Sequence, residues 1–253
     1  DEARKVRVGV ILPNKQVGDL LAAYQPALAA SLGRAPTDAE LQEIAETIIL
    51  PLFGFNQPAA LDALKAQGIE VVAIDDATLP WTNQDTAQPQ LPYDFAAGVA
   101  ALFGAMEGAP IASLADVVAI NNDDPANRAP YGQSYVEWSA NNTLTAEEFA
   151  RVQATAAALA NTWMDAVLQQ NDVDILVSGM LYSGNAGAAG VPALTIPNGL
   201  DANGRPQGII LSGAYLSDPQ LIAVGYALEQ ALNGRVEPDL EATIAEIDAV
   251  TGK

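Results

Sequence analysis

The 253-residue sequence contains no histidine and no cysteine. The first absence removes the Ser-His-Asp triad, the imidazole general base and every His-ligated metal site. The second removes thiol nucleophiles, disulfides, zinc ribbons and iron–sulfur clusters. Lysine is nearly as scarce, with Lys5, Lys15, Lys65 and Lys253 making up the whole set. Lys and Arg together number 11 against 31 Asp and Glu, a formal charge of −20. That balance argues against nucleic acid as a partner, because phosphates are neutralised by clustered basic residues, and against docking on anionic membranes. Its simplest meaning is solubility. No apolar run reaches the roughly 20 residues that span a bilayer. The expectation is a soluble protein, cytoplasmic, periplasmic or secreted, with no metal and no cofactor. Any chemistry must run on Ser, Thr, Lys, Tyr or carboxylates.

What is present is the composition of a well-buried globular chain, 50% hydrophobic and 17% charged. Residues 5–12 (KVRVGVIL) are β-branched and stop at Pro13, which predicts a buried strand. Two helical stretches follow, the second with a capping-box signature at Thr37 and Glu40 and apolar residues at Leu41, Ile44, Ile48 and Leu52. Asn56 then caps a helix with Pro58 in its first turn and Gly68 past its end, before a second strand at 69–74. Residues 75–92 read as a long surface connection, 93–107 and 113–121 as helices, and 121–133 as a loop of turn formers. The clearest helix is 145–171, opened by Thr145 and Glu148 and striped with Phe149, Val152, Ala156, Leu159, Trp163 and Val167. A third strand is predicted at 174–178. Two apolar runs at 193–196 and 208–211 then flank a turn with Asn203-Gly204, the mark of a hairpin. The tail from Asp218 reads as helix, with Asp218 as N-cap and Gly234 after its end. No linker separates two cores, so residues 1–253 are taken as part of a single domain.

The small-residue segment from 179 to 213 holds the most specific pattern. Gly190-Val-Pro192-Ala-Leu-Thr-Ile-Pro197-Asn-Gly199-Leu is followed by Asp201-Ala-Asn-Gly204-Arg-Pro206-Gln-Gly208-Ile-Ile-Leu, and then by Asp218, Leu221 and Tyr226-Ala-Leu-Glu229. Taken singly, its glycines and prolines are turn and strand-end residues. In combination they resemble the C-terminal hallmark of the amidase signature family. Three other pieces agree in order and spacing: residues 6–12, the helix and strand from Leu61 to Val72, and Ser113-Leu-Ala-Asp116 through Asn121 to Gln133. The resemblance runs from about residue 5 to residue 235. It implies an α/β chain with the amidase-signature fold, forming the C-terminal portion of a mixed β-sheet covered by helices on both faces.

Members of that family hydrolyse amides with a Ser nucleophile, a bridging Ser in a cis peptide and a Lys general base. The serines lie in or near a Gly/Ser-rich segment that has no counterpart here, and none of the four lysines matches the family position. The resemblance therefore implies no catalytic residue in this chain. It implies a two-part enzyme in which an N-terminal half, on a second chain or cleaved fragment, supplies the Ser-cisSer-Lys machinery, with this chain alone inactive. The substrate is a small-molecule or peptide amide. Asn121, Gln133, Ser178, Met180, Tyr182, Ser183 and Asn185 are the residues expected to face it. An obligate apolar interface is expected at 5–12 or at the 193–211 hairpin. The alternative is an inactive amidase-like binding or interaction module. Two acidic sets, Asp123-Asp124 with its neighbouring Asn residues and Glu147-Glu148 with Asp172 and Asp174, imitate a metal loop and a glycosidase pair, but turn and capping roles account for both.

Overall fold

A computed structural model describes residues 1–50, 57–80, 90–201 and 203–251, with the backbone alone at 57, 58, 180–184 and 251. Its contacts divide the chain into two compact units: 1–80, 164–187 and 191–253 in the first, 81–163 and 188–190 in the second.

The first unit is built on a five-stranded mixed sheet of order β2-β1-β3-β5-β4. β1 (Arg7–Leu12) runs parallel to β2 (Glu70–Asp75) on one side and to β3 (Ile175–Ser178) on the other. β5 (Pro206–Gly213) is antiparallel to both β3 and β4 (Ala193–Leu200). Four consecutive residues of β1 are buried, as expected of a strand covered on both faces. One face gathers Val8, Val10, Ile175, Val177, Ile209 and Leu211. Beneath them lie α3 (Gln57–Ala66), through Ala60 and Leu64, and α10 (Asp218–Leu232), through Leu221, Val224 and Leu228. Each such side chain, once fully buried, stabilises the fold by about 1.5–3 kcal/mol. The alternation of strand side chains sends Gly9, Ile11, Leu176 and Ser178 to the opposite face. A Cβ on Gly9 would sit 2.6 Å from Ile74 Cδ1, so that face is closely filled as well.

Residues 5–12 therefore form an interior strand rather than a sheet edge, and of the two segments expected at an interface only the hairpin strand β4 lies at an edge. Part of that edge is already occupied, because Asn198 forms a parallel bridge with Gly234. Gly234 lies after the end of α10, as the sequence suggests, but it does not take the left-handed position. Asn233 takes the left-handed position, with φ of 45°, and Gly234 accepts the Gly199 N–H at 2.8 Å. Ser217, not Asp218, occupies the N-cap position of α10.

One long helix and one short helix follow β1. α1 (Asn14–Leu32) starts directly after β1, contains Pro26 in its interior and buries no residue. Then α2 (Asp38–Ile44) passes into a π-helical turn, Ala45–Ile49. The capping box predicted at Thr37 is present: Thr37 N–H donates to Glu40 Oε2 at 2.8 Å, and Glu40 N–H donates to Thr37 Oγ1. The Arg34 guanidinium, together with the Thr37 amide and hydroxyl, holds the Glu40 carboxyl down at about 2. A depressed carboxylate stabilises the folded state above its unfolded pKa and loses that contribution as pH falls through the folded one. The N-terminal turn of α2 should therefore loosen between pH 4.5 and pH 2. Amide exchange at 38–41 should quicken over that window in the parent chain and be insensitive to pH there in Glu40→Gln.

The second unit is helical: α4 (Gln90–Gly104), α5 (Leu114–Asp123), α6 (Pro125–Arg128), α7 (Ser134–Ala140) and the first part of α8 (Ala146–Asn171). Tyr93 stacks on Phe149 with ring centroids 4.2 Å apart. The loop expected at 121–133 is partly helix. α5 continues through Asn121, Asn122 and Asp123 because Arg128 Nη1 donates to the Ile120 carbonyl at 2.6 Å, satisfying an acceptor near the helix end. The expected connection at 75–92 is likewise shortened, by a 3₁₀ turn at Asp76–Thr78 and by α4 starting at Gln90, where Pro92 fits a first turn that needs no N–H from it. The predictions at Leu52 and Asn56, and residues 81–89 of the expected connection, fall outside the described residues.

Candidate functional site

The three parallel strands all point their carboxyl ends the same way, and the chain passes from β1 to β2 on one side before returning as β3 on the other. In open α/β sheets such a reversal leaves a crevice beyond the strand ends, where ligands bind. Here the reversal lies between β1 and β3. β1 leads through Pro13 into α1, and β3 leads through Gly179 into α9 (Met180–Ala189).

The amino end of α1 is already occupied. Asp76, fully buried at the end of β2, receives the Lys15 N–H on one carboxylate oxygen at 2.6 Å and the Gln16 N–H on the other at 2.9 Å. Two of the donors that an unsatisfied helix start offers to an anion are thus spent on the protein's own carboxylate. The amino end of α9 follows Ser178, the last residue of β3, which is 2% exposed. Asn185, one to two turns along α9, is also buried. Met180, Tyr182 and Ser183 lie on the first turns of the same helix, with their side chains outside the described residues.

Asn121 and Gln133 belong to the second unit and bond to each other. Asn121 Nδ2 donates to Gln133 Oε1 at 3.0 Å. Gln133 Nε2 donates to Asn122 Oδ1 at 2.8 Å and to Glu137 Oε1 at 3.2 Å. Gln133 therefore ties the end of α5 to α7, and the half-buried pair presents a defined amide surface rather than two solvated turn residues. The expected site residues fall into two sets, Ser178 to Asn185 in the first unit and Asn121 with Gln133 in the second.

The other constellations are structural. Glu148 closes a capping box with Thr145, whose N–H lowers its carboxyl below the usual range. Asp172 pairs with Arg7, and Asp174 accepts the Arg7 N–H at 2.8 Å, locking the start of β1 to the start of β3. A cavity of about 420 Å³ lies beside Arg7, Asp165, Asp172 and Asp174. It sits at the amino ends of β1 and β3, opposite the carboxyl ends where the strand order places a ligand. Asp124 accepts both bonds of the Asn127 amide. Among the described residues no three His, Cys, Asp or Glu gather as metal ligands, and no helix is long and apolar enough to cross a membrane. Lys5 pairs with Glu2 and Lys15 with Asp19, while Lys65 stands in the last turn of α3.

Sequence reading missed Asp76 and the role of Asp116. The signal for the first was an acid pair, Asp75-Asp76, directly after a buried strand. The second, noted as part of a motif, is the partner of Ser113 in a capping box that starts α5. Its carboxyl is lowered by the Ala112 N–H and the Ser113 hydroxyl.

No protein-family model matches the chain. Its fold, however, is that of known amidases. A peptide amidase from Stenotrophomonas maltophilia superposes with a TM-score of 0.64 at 25% identity over 94% of this chain and 45% of its own. An amidase family protein from Bacillus anthracis gives 0.67 at 24% identity over 94% and 41%. In sequence, a protein of Arabidopsis thaliana named a probable amidase is 31% identical over 137 residues, 51% of this chain and 26% of the relative. In fold and in sequence alike, the chain is similar to amidases. It spans about a quarter of that relative's length and less than half of the two solved chains.

Proposed function

We propose that this chain is the sheet-and-pocket part of a linear-amide hydrolase whose nucleophilic Ser, bridging Ser and Lys base lie outside these 253 residues. One observation carries the reading: 94% of the chain matches amidases of which it spans only 41–45%, while it holds no Gly/Ser-rich segment. In a serine amidase the scissile carbonyl is held against backbone donors as charge develops on its oxygen, and the shape of the pocket selects the substrate. This chain contributes walls and floor. The residues read as its contribution are Ser178 at the carboxyl end of β3 and Met180, Tyr182, Ser183 and Asn185 on α9 in the first unit and, separately, Asn121 with Gln133 in the second. A small-molecule or peptide amide is the substrate class.

The test is a fluorophosphonate probe applied to the native protein, followed by peptide mapping. The expected label is on a serine outside residues 1–253, on the same polypeptide or on a stoichiometric partner, with loss of amide hydrolysis. A label on any serine of this chain overturns the reading. Absence of both label and hydrolysis favours the inactive binding module instead. In the active amidase, Gln133→Ala should lower kcat/KM about tenfold, which corresponds to about 1.4 kcal/mol. A change below twofold in a substrate panel would remove Asn121 and Gln133 from the site.

A further inference from the structure

α1 is an anomalous helix. It runs for 19 residues without burying one of them, although it carries Val17, Leu20, Leu21, Tyr24, Leu28 and Leu32. Pro26 interrupts its interior, removing a backbone donor and crowding the preceding turn. Gly18 adds a residue of low helix propensity. Most helical stability in proteins comes from burying an apolar face, and this helix has the penalties without the burial. α2 likewise buries nothing.

These elements enclose an apolar groove of about 420 Å³, lined by Leu21 and Leu28 of α1, Leu41 and Ile44 of α2, and Ile48 and Ile49 of the π turn. Tyr24 and Ile48 at its mouth are 62% and 53% exposed. The π turn displaces the register of the helix where it forms the groove wall, a device that recurs at functional sites. Around the groove, residues 14–50 hold five acidic side chains and two basic ones.

More than half the length of the solved amidases matched by this chain has no counterpart in it. We infer that the groove between α1 and α2 is the docking surface for the part of the amidase that carries the serines and the lysine, engaged by a short apolar face with basic flanks. The inference rests on the proposed division of the enzyme and adds the place where the parts meet. Between Leu21 and Leu28 the groove measures about 10 Å along α1, two helical turns, the scale of one short helical segment. The acidic surroundings favour Lys or Arg at its flanks.

The absence of cysteine gives a clean test. Tyr24→Cys and Ile48→Cys each introduce a single thiol into this chain. In the native, serine-labelled amidase, alkylation of either is expected to be at least tenfold slower than in the same protein unfolded, as read by mapping the modified peptide. Alkylation at the unfolded rate, in a protein with its labelled serine and its activity, overturns the inference and leaves the proposed function standing. Protection that disappears on dilution while activity persists assigns the groove to a second copy, and protection lost on dialysis assigns it to a small apolar ligand. Each of these also overturns it. If no serine-bearing segment exists, both readings fall together.

Discussion

Gly234→Ala is expected to destabilise the chain by about 1–3 kcal/mol, the usual cost of forcing atoms into a filled space. For a chain of this size that is roughly 2–4 °C in Tm for each kcal/mol. A Cβ built at Gly234 would lie 2.6 Å from the Pro197 carbonyl oxygen, 2.8 Å from Asn198 Cα and 2.8 Å from Gly199 N. All three are backbone atoms, so no rotamer change relieves the contact. The methyl group would push the chain after α10 off the edge of β4 and break the bond from Gly199 N–H to the Gly234 carbonyl. Gly104→Ala makes the contrast, because a Cβ there meets nothing within 4 Å and φ is not positive. Replacing a helical glycine with alanine should be neutral or stabilising by about 0.5–1 kcal/mol. Urea denaturation of both variants decides the point. A Gly234→Ala midpoint indistinguishable from the parent would mean that the bridge to Asn198 is not a constraint.

Gly234 also illustrates where the sequence could be read and where it could not. A glycine after an amphipathic helix suggests a terminator, and the helix does end there, but the left-handed position went to Asn233. What made glycine necessary was a strand 36 residues earlier in the chain, and no local pattern carries that. The strands themselves were legible because short β-branched runs bounded by proline, glycine and asparagine leave few alternatives. β1, β2 and β3 lie within two residues of expectation. The hairpin strands run further, to Leu200 and from Pro206, because Asp201 closes the turn, accepting the Asn203 and Arg205 N–H groups. The Arg205 amide, foremost among these contacts, holds its carboxyl below the usual range.

The capping boxes at Thr37 and Thr145 were equally plain, since both partners lie three residues apart. The candidate site was legible only as residue types. That Asn121 and Gln133 bond to each other across 12 positions depends on how the chain turns back between α5 and α7, and the contact from Arg128 to Ile120, eight residues back, is part of that turn. Asp76 was invisible for the same reason, because the amides it caps lie about sixty residues away.

Asp76→Ala should cost about 3 kcal/mol, because each of the two hydrogen bonds that the buried carboxylate accepts from α1 is of the charge-assisted kind, worth about 1.5–3 kcal/mol. The loss also removes a negative charge from the positive end of the α1 dipole. Asp76→Asn keeps one acceptor oxygen and should retain part of the stability. Because α1 buries nothing and contains Pro26, little else described in this chain holds it, so the damage should be local before it is global. Amides of 17–32 are expected to exchange at nearly unprotected rates in Asp76→Ala, while the β1 amides between β2 and β3 keep most of their protection. Uniform loss of protection across both would show that α1 is not a separate unit of stability. The functional consequence follows from position. α1 leaves the carboxyl end of β1, the strand paired with β3, and it forms one wall of the groove inferred to seat the catalytic part. Loosening its amino end should therefore weaken assembly with the serine-bearing segment. Gly234→Ala, acting at the far edge of the same sheet, should lower stability without changing that affinity. Titrating the labelled segment against both variants separates the two effects. Equal loss of assembly in both would mean that the segment responds to the stability of the sheet as a whole and not to α1.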